Sequence, residues 1–330
     1  MRTMHVKILV VIIGIALASF ATLQVSNAPA GAAASPGQAI VADHTIVNMV
    51  RLDQVPESAI INAKNALHVA YGHTSHGSQI ITGMDDLPSF KESRGGTPGL
   101  YSWNTGGTGG ALDIDDYFAP GDLGNPDRTT WAQETRDYLN DPAHSSCNVV
   151  MWSWCGEVSD ATQDDINTYL ALMSSLEHDY PTVIFIYMTG HTDGTGLAGN
   201  LHIRNNQIRD YCAANGKILF DFEDIESYNP DGTYFGGQNV ADSCDYTGGN
   251  WAIEWQNAHP GEWYNCDSAH SQPLNANLKA YAAWWMWARL AGWQANNGDY
   301  LTVLAVIAGA TVTAIAVAAA AIHVRRKRQP

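Results

Sequence analysis

Four short polar segments carry the side chains whose types and spacing could do chemistry. Gly72-His73-Thr74-Ser75-His76-Gly77-Ser78 holds three hydroxyls and two imidazoles between glycines. A turn of that composition can expose a nucleophilic hydroxyl, with main-chain N–H groups at a following helix start available to a developing oxyanion. Its inert alternative is an N-capping hydroxyl with solvated histidines. Ser153-Trp154-Cys155-Gly156-Glu157 and Gly190-His191-Thr192-Asp193-Gly194 each set a glycine where backbone can approach a ligand, and His191 and Asp193 could contact a polar substrate. Asp267-Ser268-Ala269-His270 spaces an acid and an imidazole three apart, so on a helical turn the carboxylate could orient the ring. Asp221 and Asp224 read better as helix caps or turn residues.

These segments need elements to hold them. Apolar runs at 67–71, 148–152, 183–188 and 218–220 read as strands. Ile166, Tyr169, Leu170, Met173 and Leu176 at helical spacing predict a helix over 161–177. A second, over 200–214, stops before a capping Gly216, and a third, over 273–290, has Pro273 in its first turn and Gly292 just past its end. Strands alternating with helices predict an α/β fold, a parallel sheet with helices on both faces, which binds ligands beyond the carboxyl ends of its strands. Each of the first three polar segments follows a predicted strand, and the fourth precedes the last helix. Two glycine-rich stretches, 95–127 and 228–265, lack clear periodicity and read as loops near the ligand edge or as inert surface.

A serine-bearing turn after the first strand, glycine-bearing turns after later strands and Asp-x-x-His before the last helix resemble the pattern of SGNH (GDSL-type) hydrolases over about 65–292. The resemblance implies a flavodoxin-like three-layer α/β/α sandwich and a Ser-His-Asp esterase. Ser75 would attack an acyl carbonyl, His270 would act as general base and then acid, and Asp267 would orient His270. The chain has Gly72-His73-Thr74-Ser75 where the family has Gly-Asp-Ser, which leaves Thr74 and Ser78 as alternative nucleophiles. The family's Gly-x-Asn-Asp block corresponds by chain order to Cys155-Gly156-Glu157, or by pattern to Gly190-His191-Thr192-Asp193. Its other glycine block would fall at Gly109 or Gly110. By this resemblance Gly110, Gly156, Gly190, His191 and Asp193 are the expected oxyanion and substrate-binding residues.

The 330-residue chain carries 17 Lys+Arg against 33 Asp+Glu and is 45% hydrophobic, which excludes disordered and collagenous classes. Basic residues ahead of a short apolar run, then small residues, predict a signal peptide at 1–28, followed by an Ala/Pro/Gly-rich linker at 29–45. One domain is expected at 46–298. The uncharged apolar stretch 301–322 has the length of a membrane-spanning helix, and the basic tail 323–330 would stay cytoplasmic. The body is then expected outside the cell, anchored to the membrane. Setting aside Arg2, Lys7 and the four basic tail residues leaves 11 basic against 33 acidic residues, so a nucleic-acid partner is not expected. Five cysteines, an odd number, fall in that body, and Cys244 with Cys266 is a plausible disulfide in an oxidising compartment.

Three functional readings follow. The first is a cell-surface serine esterase without cofactor or metal, acting on a small-molecule or carbohydrate ester such as an acetylated sugar; Trp103, Trp251, Trp255 and Trp263 could offer sugar-stacking surface, whereas Trp284, Trp285 and Trp287 read as packing residues. The second is a metal-dependent hydrolase built from His73, His76, His191, His202, His259 and His270 with acidic partners, although no HExxH spacing occurs. The third is a non-catalytic carbohydrate-binding or adhesion module on the same scaffold.

Overall fold

The computed structural model describes residues 40–295. The main sheet is built from seven strands, β1 (Val41–Ala42), β2 (His68–Gly72), β3 (Trp103–Asn104), β4 (Leu112–Asp116), β5 (Val149–Trp152), β6 (Ile184–Met188) and β7 (Ile218–Phe220). They pair in parallel as one sheet in the order β1-β7-β6-β5-β2-β4-β3. The central strands are continuous apolar runs because both faces of the sheet are covered; every residue of β5 is buried. Helices α1 (Met49–Asp53), α2 (Glu57–Ala66), α3 (Ser78–Ser93) and α7 (Phe222–Glu226) gather around the last helix, α9 (Pro273–Leu290), in one layer. Helices α4 (Thr130–Asn140), α5 (Gln163–Asp179) and α6 (Asn200–Asn215) pack in sequence as the other layer.

The order of the strands reverses between β2 and β5. From β2 the chain runs to β3 at the edge and back to β4 on one side, then passes β2 to fill β5, β6 and β7 on the other. The loops leaving β2 and β5 therefore diverge from adjacent strands and open a crevice between them, where doubly wound sheets bind ligands.

Local signals explain the elements. Thr162 and Asp165 form a reciprocal capping box at the start of α5, and Gly216 closes α6 in the left-handed conformation. Pro273 opens α9 as expected, and α9 is buried almost all round, the pattern of a helix surrounded by protein. Trp284 and Trp287 are fully buried there. Helices α3 and α9 approach closely at Gly83, where a Cβ would sit 2.2 Å from the carbonyl oxygen of Ala276.

Several expectations need correction. The aperiodic stretch 95–127 contains β3 and β4, and 228–265 contains helix α8 (Trp251–Ala258) and an antiparallel pair, β8 (Asp245–Tyr246) with β9 (Gly249–Asn250). Part of the expected linker contributes β1, which pairs with β7 at the sheet edge. Cys244 and Cys266 are not joined, and all five cysteines are free. The Cys244 thiol instead faces the Ser271 hydroxyl, and that of Cys266 the Pro273 carbonyl. No helix among the described residues is long and apolar enough to cross a membrane. The expected signal segment, the apolar stretch 301–322 and the basic tail lie outside the described residues.

Candidate active site

Loops from β2, β5 and β6 meet at the crevice, joined by two loops from later in the chain. The β2 loop delivers Ser75 and His76 just before α3, and the β5 loop delivers Cys155. Cys155 Sγ lies 3.4 Å from His76 Nδ1 and 3.1 Å from Ser75 Oγ. His76 Nε2 lies 2.9 Å from Asp242 Oδ2, on the loop ahead of β8. Thiol, imidazole and carboxylate are thus in line.

Electrostatics follow from this arrangement. The hydrogen bond from His76 is the largest influence on Cys155; helped by the hydroxyls of Ser75 and Thr74, it outweighs partial burial and lowers the thiol pKa to about 6. Burial opposes charge on His76, yet Asp242 and Cys155 together raise its pKa to about 9. Burial likewise opposes ionisation of Asp242, but its bond to His76 and the nearby His191 keep its pKa low. Between those limits the stable form of the pair is thiolate with imidazolium, titrating as a unit. The other cysteines differ: desolvation raises Cys147 to about 11, and Cys212, Cys244 and Cys266 to about 12.

The His76 ring is also held by stacking. His191 lies parallel to it with centroids 3.6 Å apart, and His270 stacks at 4.4 Å. His191 points one ring nitrogen at the Thr192 carbonyl and the other at the Cys155 carbonyl, tying the β6 loop to the thiol-bearing one. His270 sits in a turn closed by Ser271 N–H to the Ser268 carbonyl, at φ +62°, a strained conformation for a non-glycine residue. Beneath the site, fully buried Lys279 pairs with fully buried Glu226 and also donates to Gln79. Glu226 accepts from Thr192 N–H and Oγ, and Gln79 donates to the Ala269 carbonyl, so this network fixes the residues next to both His191 and His270.

Two acids flank the thiol. One carboxylate oxygen of Glu157 accepts from the N–H groups of Cys155 and Gly156, at 3.3 and 2.9 Å. Asp122, 3% exposed, accepts from Thr74 Oγ1 at 2.8 Å and leaves Oδ1 without a partner. Burial, and then the charge of Glu157, raise its pKa to about 8.

The expected residues fall out unevenly. Ser75 is in the site, but its hydroxyl meets a thiol, not an imidazole. Thr74 is committed to Asp122, and Ser78 caps its own turn by donating to the Ser75 carbonyl. Asp267 is exposed, and among the described residues no hydrogen bond or ion pair joins it to His270, because the 267–270 segment is not helical. The acid near His270 is Asp242; with His76 the three offer ligand atoms within 4.8 Å of one another, a group able to hold a cation. Gly110 precedes β4, at the amino ends of the strands and away from the site. Gly190 serves packing, since a Cβ there would meet Val158 at 2.9 Å, and Asn205 binds its backbone. Asp193 accepts from Thr195 in its own loop and from Ser159 in the loop after β5, so it ties the two loops together. Asp221 caps α7, as its position suggested, and pairs with Arg209. Trp251 and Trp255 are buried and offer no stacking face, Trp251 packing on Phe235.

In the sequence Cys155 stands out only beside Gly156 and as one of five cysteines, His76 as one imidazole of the 72–78 turn and a candidate metal ligand, and no motif contains Asp242. An unpaired cysteine directly after a central strand, with histidines after the adjacent one, was the available signal. No protein-family profile, curated protein or solved structure matches the chain.

Proposed function

We propose that this protein is a hydrolase of acyl esters that works by covalent catalysis, with Cys155 as nucleophile, His76 as its acid-base partner and Asp242 orienting His76. The observation that carries this reading is the line from Cys155 Sγ through His76 to Asp242, at 3.4 and 2.9 Å, in the crevice between β2 and β5. The thiolate would add to the acyl carbonyl, forming a C–S bond as the carbonyl π pair moves onto oxygen. Collapse would break the ester C–O bond, and the departing oxygen would take the proton of the His76 imidazolium. Water, deprotonated by His76, would then release the acyl group as a carboxylic acid and restore the thiolate.

The strand order supports a flavodoxin-like reading of the scaffold, because β2, β4, β5, β6 and β7 follow the 2-1-3-4-5 arrangement. That order agrees with the SGNH-like reading, with the nucleophile moved from the turn after β2 to the turn after β5. A carbohydrate ester at a cell surface remains the proposed substrate setting, resting on the expected export of the chain.

The test is turnover of p-nitrophenyl acetate. Cys155→Ala and His76→Ala should each lose about 10³-fold or more, whereas Ser75→Ala should lose about tenfold or less. Loss confined to Ser75→Ala would restore the serine reading. A second reading rests on the His76–Asp242–His270 group: a divalent cation there would take the place of the His76–Asp242 hydrogen bond, so activity abolished by chelator and restored by zinc would favour it.

A further inference from the structure

The structure assigns the main-chain N–H groups of Cys155 and Gly156 as an oxyanion site that the protein's own Glu157 carboxylate closes. The inference rests on the covalent reading above. A single oxygen, Glu157 Oε2, accepts from both N–H groups, so the two donors converge on one point, and that point adjoins the thiol of the same segment. Such convergence on an anionic oxygen is what a tetrahedral acyl intermediate needs. Gly156 is exposed, so a substrate can reach the position.

Glu157 is poorly secured there. Among the described residues its carboxylate has no cation partner; the nearby Arg128 donates to its main-chain carbonyl instead. A carboxylate held by two amides without a cation can be exchanged for a substrate oxygen. Glu157 thus keeps the donors paired when no substrate is bound, and it must swing away before the carbonyl can enter. The site prefers acyl compounds able to displace an internal carboxylate, and a free carboxylate reaches the same donors only where the Glu157 side chain is removed.

Propanal tests this without turnover. The thiolate adds to its carbonyl carbon, forming a C–S bond, and the oxygen takes the His76 proton, giving a hemithioacetal that shields Cys155 from iodoacetamide. In the full-length protein, Glu157→Ala and Glu157→Gln should each be protected at about tenfold lower propanal than wild type. Sodium acetate should reverse that gain in Glu157→Ala and leave wild type unchanged, because acetate refills the vacated position. Equal protection in wild type and both variants, or acetate improving protection in Glu157→Ala, would overturn the oxyanion site while leaving the nucleophile intact. A wild-type Cys155 that iodoacetamide does not modify would remove the nucleophile itself, and this inference with it.

Discussion

Cys155 and Cys212 share a chain and a solvent, yet the thiol pKa is near 6 in one and near 12 in the other. The difference is His76: one imidazolium at hydrogen-bond distance outweighs the desolvation that dominates elsewhere. Asp122 shows the opposite case, an acid that burial and Glu157 keep protonated to about pH 8. Its unfolded counterpart releases the proton near pH 4, so between those values the folded state holds more protons and stability must fall as pH rises. Wild type should therefore lose on the order of 2 kcal/mol between about pH 5 and pH 8, after discounting for the charge shared with Glu157. Asp122→Asn should remove most of that slope, as urea unfolding at the two pH values would show; an unchanged slope would mean that Asp122 is ionised throughout.

At the scale of elements, the site depends on α9 and α3. Lys279 on α9 and Gln79 on α3 hold the residues beside His191 and His270 through Glu226 and the Ala269 carbonyl. Lys279→Met should cost about 3–5 kcal/mol by leaving Glu226 buried and unpaired, and adding Glu226→Gln should recover part of it. Equal stability of Lys279→Met and wild type in urea would show that the pair contributes nothing. Gly83→Ala should also destabilise, by about 1–3 kcal/mol, since the new methyl meets main chain at 2.2 Å.

The same scale shows what the sequence could reveal. Strands β2, β5, β6 and β7 were legible because they are short apolar runs buried on both faces. Strand β4, Leu112–Asp116, was not: its two apolar residues alternate with acids, one of which binds His68. Helix α3 was hidden by Pro88 and by the polar turn that feeds it. The turns after the strands located the crevice, since chain direction fixes which strand ends carry loops. Asp242 could not be found this way, because it reaches His76 from 166 residues away and no local spacing records such a contact.

For the whole molecule the decisive property is charge. With a formal net charge of −16 at pH 7, the field around the protein should favour cationic over anionic esters. At about 20 mM salt, kcat/KM for a cationic ester should exceed that for an anionic one of equal size by about tenfold, and most of the difference should vanish above about 0.5 M. A ratio independent of salt would place the discrimination in direct contacts.

The proposed chemistry requires Cys155 to be an ion-paired thiolate at neutral pH. The most direct measurement is the rate of iodoacetamide modification of the intact protein across pH, with the labelled peptide mapped. The expected result is labelling of Cys155 with a midpoint near pH 6, moving up towards that of an ordinary thiol in His76→Ala. An unreactive Cys155, or a wild-type midpoint at an ordinary thiol pKa, would contradict it.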